Sequence, residues 1–252
     1  MSTQARVKEA TRKAVDTTKP YVPDSVKRPI KRAIPTRYHH LLDPDWHRRT
    51  IGNFELWEEL GQLQFDFMVE HGLKPEHKLL DVGCGPLRGG IKFINYLEPG
   101  GYFGVDKRAD VIDEANRFEI PENNLGPRRP TLLAIEDFGF HRLGTKFEFA
   151  LAQSVFTHLS LNSIIRCLVN MDDALVEGGV FYATFFLNED GRKNLEDINQ
   201  TSEVVTHFDR DFYHYDVASF EWACEGTGLK PEYLGGWNNP RNSKMMAFTK
   251  QA

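Results

Sequence analysis

The segment Leu79-Leu80-Asp81-Val82-Gly83-Cys84-Gly85-Pro86-Leu87-Arg88-Gly89-Gly90 constrains the fold more than any other stretch of the chain. A short apolar run, fit for a buried strand, enters a glycine turn, and the residues that follow, Gly89 to Tyr96, have a helical pattern. A strand, a glycine turn and a helix in succession put the turn at the carboxyl edge of a sheet, where open α/β folds bind ligands. Gly83 and Gly85 lack a Cβ, so the backbone there can come close to a ligand. A dinucleotide fingerprint would carry a third glycine three residues after the second. Arg88 holds that place, which disfavours a nicotinamide cofactor. Cys84 reads as a packing residue, because no histidine lies near it in sequence to activate a thiol.

The rest of the chain extends the pattern. Phe54, Trp57, Leu60, Gln64, Phe67 and Met68 recur at helical spacing, and His71-Gly72 with Pro75 stops that helix. Strands are expected at residues 78–82, 102–105, 131–135, 147–152 and 179–186, with helices near 89–96, 109–118 and 161–175. Alternating strands and helices, with strands too apolar to face water, predict a parallel sheet covered on both sides. A helix at 217–226 and two strand-like runs, 230–234 and 245–249, then predict an antiparallel pair at one edge.

The net charge of −5 is a sum of unlike parts. Residues 1–50 hold 12 Lys or Arg against 5 Asp or Glu, and residues 51–252 hold 19 against 31. The first part carries Pro20, Pro23, Pro29, Pro35 and Pro44 and two short amphipathic pieces, one with Val26, Ile30, Ala33 and Ile34 opposite Lys27, Arg28, Lys31 and Arg32. It is expected to be a basic N-terminal extension, partly helical or disordered, able through residues 1–35 to meet an anionic membrane surface or an acidic partner. No apolar run approaches the ~18 residues of a membrane span, and the N-terminus lacks a secretory apolar core, so a cytoplasmic protein, peripheral at most to the inner membrane face, is expected. Cys84, Cys167 and Cys224 form neither a disulfide framework nor a metal knuckle. Asn188-Glu189-Asp190 reads as a surface turn, and no metal is expected.

The strand ends carry the more specific signal. Twenty-one residues after Gly85 the second strand ends at Val105-Asp106-Lys107, the third at Glu136-Asp137-Phe138, and the fourth runs into Gln153-Ser154-Val155-Phe156-Thr157-His158. Together these resemble the class I S-adenosylmethionine-dependent methyltransferases, and the resemblance covers roughly residues 53 to 250. It implies a Rossmann-like, doubly wound α/β fold with a seven-stranded, mostly parallel sheet and an antiparallel C-terminal hairpin strand, occupying 51–252 behind the 1–50 extension. It also implies S-adenosyl-L-methionine as cofactor, held by Asp81, Gly83, Cys84, Gly85, Asp106, Lys107, Asp137, Phe138 and Gln153. Asp106 matches the ribose-binding acid and Asp137 the adenine-side acid. Each carboxylate has a plainer alternative: Asp106 as a helix cap, Asp137 as a turn acid, and Asp81 as a support beneath the loop. Trp57, Gly61 and Gln64, the Pro86-Leu87-Arg88-Gly89-Gly90 form of the loop, and Gly235-Gly236-Trp237-Asn238-Asn239-Pro240-Arg241 look like a bacterial branch placed among polysaccharide and natural-product methyltransferases.

Methyl transfer to a hydroxyl needs a positioned acceptor and a base for its proton. His158 and His214 are the candidates, with His207 less favoured. The expected acceptor is a hydroxyl on a small or glycan-like molecule. Methylation of a small-molecule or protein nitrogen, a non-enzymatic nucleoside-binding adaptor, and an aminopropyl- or nucleotide-sugar-processing enzyme are the alternatives. DNA is disfavoured: Gln153-Ser154-Val155-Phe156 departs from the acidic or amide residue, two prolines and aromatic of base-modifying relatives, no Pro-Cys pair exists, and the body is acidic. Arg241 and Trp237 are candidates to grip an anionic or sugar ring, against the alternative of a plain hairpin loop.

Overall fold

The computed structural model describes residue 43, residues 45–51 and residues 54–252. The amphipathic pieces and the contact surface expected at residues 1–35 lie outside the described residues. Contacts divide the chain into two units at Glu55 and Leu56. In the first, a 3-10 turn spans Arg48–Ile51, Arg48 pairs with Asp45 and Arg49 with Asp43, and the Arg49 guanidinium lies 4.0 Å from the Phe54 ring centre.

The second unit opens with α1 (Trp57–Glu70), which buries Trp57, Leu60, Gln64, Phe67 and Met68 along one face. It stops where Gly72 takes φ 98°, a left-handed conformation that glycine adopts freely. Strand β1 (Leu79–Val82) is buried at all four residues. It leads through the glycine turn to α2 (Gly90–Tyr96), β2 (Tyr102–Asp106), α3 (Ala109–Glu114) and β3 (Thr131–Ala134). Then come β4 (Phe147–Ala152), α4 (Leu161–Ala174) and β5 (Leu175–Leu187). Two-residue strands β6 (Ile198–Asn199), β7 (Val205–Thr206) and β8 (His214–Tyr215) precede α5 (Val217–Ala223), β9 (Leu229–Gly236) and β10 (Lys244–Lys250).

The sheet runs β3-β2-β1-β4-β5-β10-β9, with β1 to β5 parallel and β10 antiparallel to both its neighbours. Strand order reverses between β1 and β4, so the crevice of this sheet opens beside the glycine turn. The pleat sends Leu80 and Val82 into a core with Phe156, Leu168, Phe181 and Phe248, and Leu79 into another with Met68, Phe93 and Tyr102. Each such side chain, fully buried, contributes about 1.5–3 kcal/mol.

Strand β5 begins four residues earlier than its sequence pattern suggests. Gly178-Gly179 looks like a turn, but it forms a bulge: pairing with β4 slips between Phe147 and Phe149, and Gly178 takes φ 75°. A Cβ on Gly179 would lie 2.9 Å from the Phe147 carbonyl oxygen, so the glycine lets two backbones meet. The stretch after β5, irregular in sequence, folds back on the sheet. Strands β6 and β7 pair antiparallel, β8 extends beside the last residues of β5, and the Tyr213 N–H donates to the Thr157 oxygen at 2.8 Å. That segment therefore crosses the carboxyl edge of β4.

Candidate active site

The turn after β1 is built for close approach. Gly83 and Gly85 take φ 71° and 54°, and the N–H groups of Gly83 and Cys84 both donate to the Val105 oxygen, at 2.7 and 3.0 Å. A Cβ on Gly83 would stand 2.5 Å from Val155 Cγ2. Asp106 ties this turn to β2: one carboxylate oxygen accepts the Gly85 N–H at 3.2 Å and the other the Arg108 N–H at 2.9 Å. Its carboxylate makes no cap to α3, whose first turn has no side-chain cap. Lys107 is exposed beside it. Cys84 is buried, and burial, with Asp81 and Asp106 nearby, pushes its thiol well above the ordinary range, which suits packing and not nucleophilic chemistry.

Asp81 is buried and accepts a hydrogen bond of 2.7 Å from the Tyr102 hydroxyl. That hydroxyl sits beneath the start of α2, where a Cβ on Gly90 would come within 2.6 Å of it. The arrangement supports the loop from below. Burial pushes the Asp81 carboxyl from 3.8 to about 6, against the lowering effect of the Tyr102 hydrogen bond. A carboxyl that binds its proton more readily folded than unfolded gains stability as pH falls from about 6 to about 4 and loses it as pH rises through that window. The full effect is about 3 kcal/mol. Asp81→Asn is therefore expected to flatten the pH dependence of unfolding in urea between about pH 4 and pH 7. An unchanged slope would show that Asp81 is not its source.

Asp137 is exposed, and the Gly139 N–H and the Arg142 guanidinium hold its carboxyl below the usual range. These bonds shape the turn before Phe140–Leu143, the plainer of its two readings. Phe138, at φ 59°, is half-buried and meets Phe140 edge-on at 6.1 Å. By strand order it lies at the same sheet edge as Asp106 and the glycine turn.

Gln153 after β4 is buried and acts as a connector. Its Oε1 accepts from the Arg88 guanidinium at 2.8 Å and from Gln64 at 3.4 Å, and its Nε2 donates to the Ser154 hydroxyl at 2.6 Å. Ser154, at φ 57°, donates its N–H to the Thr184 hydroxyl at 2.7 Å.

The two candidate histidines have unlike surroundings. His158 closes the 3-10 turn Phe156–His158 with its side chain 41% exposed, its Nδ1 2.8 and 3.0 Å from the two Asp211 carboxylate oxygens, and its ring 4.7 Å from Phe212. A carboxylate on Nδ1 favours the tautomer protonated there and leaves Nε2 as the basic nitrogen. His214 is buried, its Nδ1 2.9 Å from the Thr206 hydroxyl, and burial lowers its affinity for a proton. It joins β7 to β8. His207 pairs with Asp197 at 2.7 Å. Nothing in Asp209-Arg210-Asp211-Phe212 distinguishes Asp211 from an ordinary charged loop until the fold sets it beside His158.

Trp237 is buried edge-on to Phe67 at 5.8 Å, with its Nε1–H donating to the Ser243 hydroxyl at 3.2 Å, so it offers no platform for a sugar. Arg241 lies over Phe212 and Phe186, its guanidinium carbon 5.3 and 5.9 Å from the ring centres.

Solved structures share this architecture. The magnesium protoporphyrin IX methyltransferase ChlM from Synechocystis PCC 6803, solved with bound SAM, superposes with a TM-score of 0.57 at 15% identity, covering 93% of this chain and all of that one. The chain has the class I methyltransferase fold. DesVI of Streptomyces venezuelae gives a TM-score of 0.55 at 19% identity over 77% of this chain and 93% of its own. The pyocyanin biosynthetic protein PhzM gives 0.55 at 14% identity over 84% and 61%. In sequence, a geranyl diphosphate 2-C-methyltransferase of Saccharopolyspora erythraea is 32% identical over 97 residues, so the match spans 31% of each chain. No family model matches. Among the described residues of this methyltransferase fold, no helix is long and apolar enough to cross a membrane.

Proposed function

We propose that the protein is an S-adenosylmethionine-dependent methyltransferase that methylates a hydroxyl of a small-molecule or glycan-like acceptor, with His158 as general base and Asp211 as its positioning residue. The observation that carries this reading is the His158–Asp211 pair, at 2.8 Å, on the turn after β4 and thus at the same sheet edge as the glycine turn and Asp106. ChlM, with the same fold, is a methyltransferase solved with SAM, and both it and the geranyl diphosphate enzyme are named for small-molecule substrates.

The residues present fit the donor. The Gly83 backbone is exposed at the turn, with Val155 Cγ2 filling the place a side chain would take, the Asp106 carboxylate is half-buried at the end of β2, and Phe138 offers an aromatic face one strand further. The glycine turn would take the amino-acid end, Asp106 the ribose hydroxyls and Phe138 the adenine. When bound, S-adenosylmethionine supplies a methyl group on a sulfonium whose departure leaves a neutral thioether. The chain's own part is to hold the acceptor oxygen in line and to remove its proton. His158 Nε2 takes that proton, Asp211 stabilises the imidazolium that forms, and the Phe212 ring packs against the imidazole.

Calorimetry with S-adenosylmethionine and with NADH tests the donor, and mass spectrometry of a metabolite and glycan extract incubated with protein and donor tests the transfer. Binding of S-adenosylmethionine alone, with S-adenosylhomocysteine formed and a methylated oxygen in the product, is expected. NADH binding in place of the donor would overturn the reading. Donor binding with no transfer would identify an adaptor.

A further inference from the structure

Two arginines at the carboxyl edge have no contacting carboxylate among the described residues. Arg88 follows β1, is half-buried, and spends one guanidinium nitrogen on the neutral Gln153 amide at 2.8 Å, while its buried Nε has no hydrogen-bond partner. Arg241, from the β9–β10 loop, is half-buried over the Phe186 and Phe212 rings. Neither has a carboxylate within 4.0 Å among the described residues, although residues 51–252 carry 31 Asp and Glu against 19 Lys and Arg. Burial, and then the charge of Arg241, lower the Arg88 guanidinium to about 10, against the raising effect of the Asp81 carboxylate. Burial lowers the Arg241 guanidinium as well. A desolvated pair of like charges normally carries a counter-charge, because unpaired buried ions are expensive.

A spare donor accompanies them. Asn239, two residues before Arg241, is buried; its Oδ1 accepts the Arg241 N–H at 2.9 Å, which fixes the amide orientation, and its Nδ2 has no partner. The location adjoins the proposed base, since the Phe212 ring that carries Arg241 also packs on His158.

We propose that Arg88 and Arg241 are a receptor for an anionic group, a carboxylate or a phosphate, on the methyl acceptor. This rests on the methyltransferase reading and narrows it: the acceptor has a hydroxyl within reach of His158 and an acidic group that the two guanidiniums neutralise. Planar forked donors suit both carboxylate and phosphate oxygens. The same chemistry is present in the donor's own carboxylate, and the two sources separate experimentally.

The test is calorimetric titration of inorganic phosphate into the full-length protein, alone and saturated with S-adenosylhomocysteine. Phosphate is expected to bind in both states, and Arg241→Gln to weaken it about tenfold or more. Affinity of Arg241→Gln for S-adenosylhomocysteine is expected to match wild type. Arg241 is half-exposed on a loop, so this variant is the one least disturbing to the fold; Arg88→Gln, compared at matched thermal stability, is expected to act in the same direction. Phosphate binding abolished by S-adenosylhomocysteine would assign the arginines to the donor's carboxylate and overturn the proposal. So would no phosphate binding by wild type, or binding undiminished in Arg241→Gln. Failure to bind S-adenosylhomocysteine at all is read in its own titration and overturns the methyltransferase reading, while phosphate binding to the ligand-free protein still judges the anion site.

Discussion

His158→Ala is expected to lower methyl transfer about 10²–10⁴-fold with donor affinity retained, since a positioned general base supplies a factor of that size. The imidazole is on the surface of a short turn, so its removal opens no core cavity, and thermal stability should hold. Added imidazole should restore part of the rate. Asp211→Asn keeps the size of the side chain but loses the charge that holds Nδ1 protonated. It is expected to lower kcat with little change in acceptor KM, and Asp211→Glu to recover part of the loss. Steady-state kinetics with donor titrations on the same preparations decide it. Full turnover in His158→Ala would overturn its assignment as the base, and full turnover in His214→Ala as well would remove histidine-base catalysis.

That contrast bears on what a sequence can disclose. The glycine turn, the acid at the end of β2 and the alternation of strands and helices are local patterns, each written in fewer than a dozen neighbouring residues, and they specify the sheet with its crevice. His158 and His214 are both histidines within two residues of an aromatic side chain at element boundaries. Only tertiary packing separates them: one meets a carboxylate 53 residues away, the other a buried hydroxyl on a two-residue strand. Asp211 carries no local signal because its partner lies across the fold. Trp237 misleads for the same reason, since a tryptophan in a Gly- and Asn-rich loop resembles a ligand platform until its burial against Phe67 is known. Asp106 shows the converse. Sequence favours a ligand acid with a helix cap as the alternative, and the carboxylate instead bonds the Gly85 and Arg108 N–H groups, with no side-chain cap on α3.

The glycine turn carries the other large effect. Gly83→Ala is expected to weaken S-adenosylmethionine binding by tenfold or more and to destabilise the fold as well. Two separable causes act. At φ 71° an alanine pays roughly 1–2 kcal/mol for the left-handed conformation. Its Cβ would also meet Val155 Cγ2 at 2.5 Å, displacing either the turn or the segment that leads to His158. Val155→Ala removes that methyl, so in Gly83→Ala/Val155→Ala the steric part should be relieved and the backbone part remain. The double mutant is then expected to bind the donor better than Gly83→Ala alone, a non-additivity that a double-mutant cycle measures directly. Asp106→Ala provides the comparison: it removes the carboxylate that accepts from Gly85 and Arg108 without adding bulk, so its loss of donor affinity should be indifferent to Val155→Ala. Calorimetry on the wild type and the five variants, Asp106→Ala/Val155→Ala among them, tests both claims. Wild-type affinity in Gly83→Ala would mean that the donor does not approach this turn, and equal rescue of Asp106→Ala by Val155→Ala would mean that the clash is not the cause.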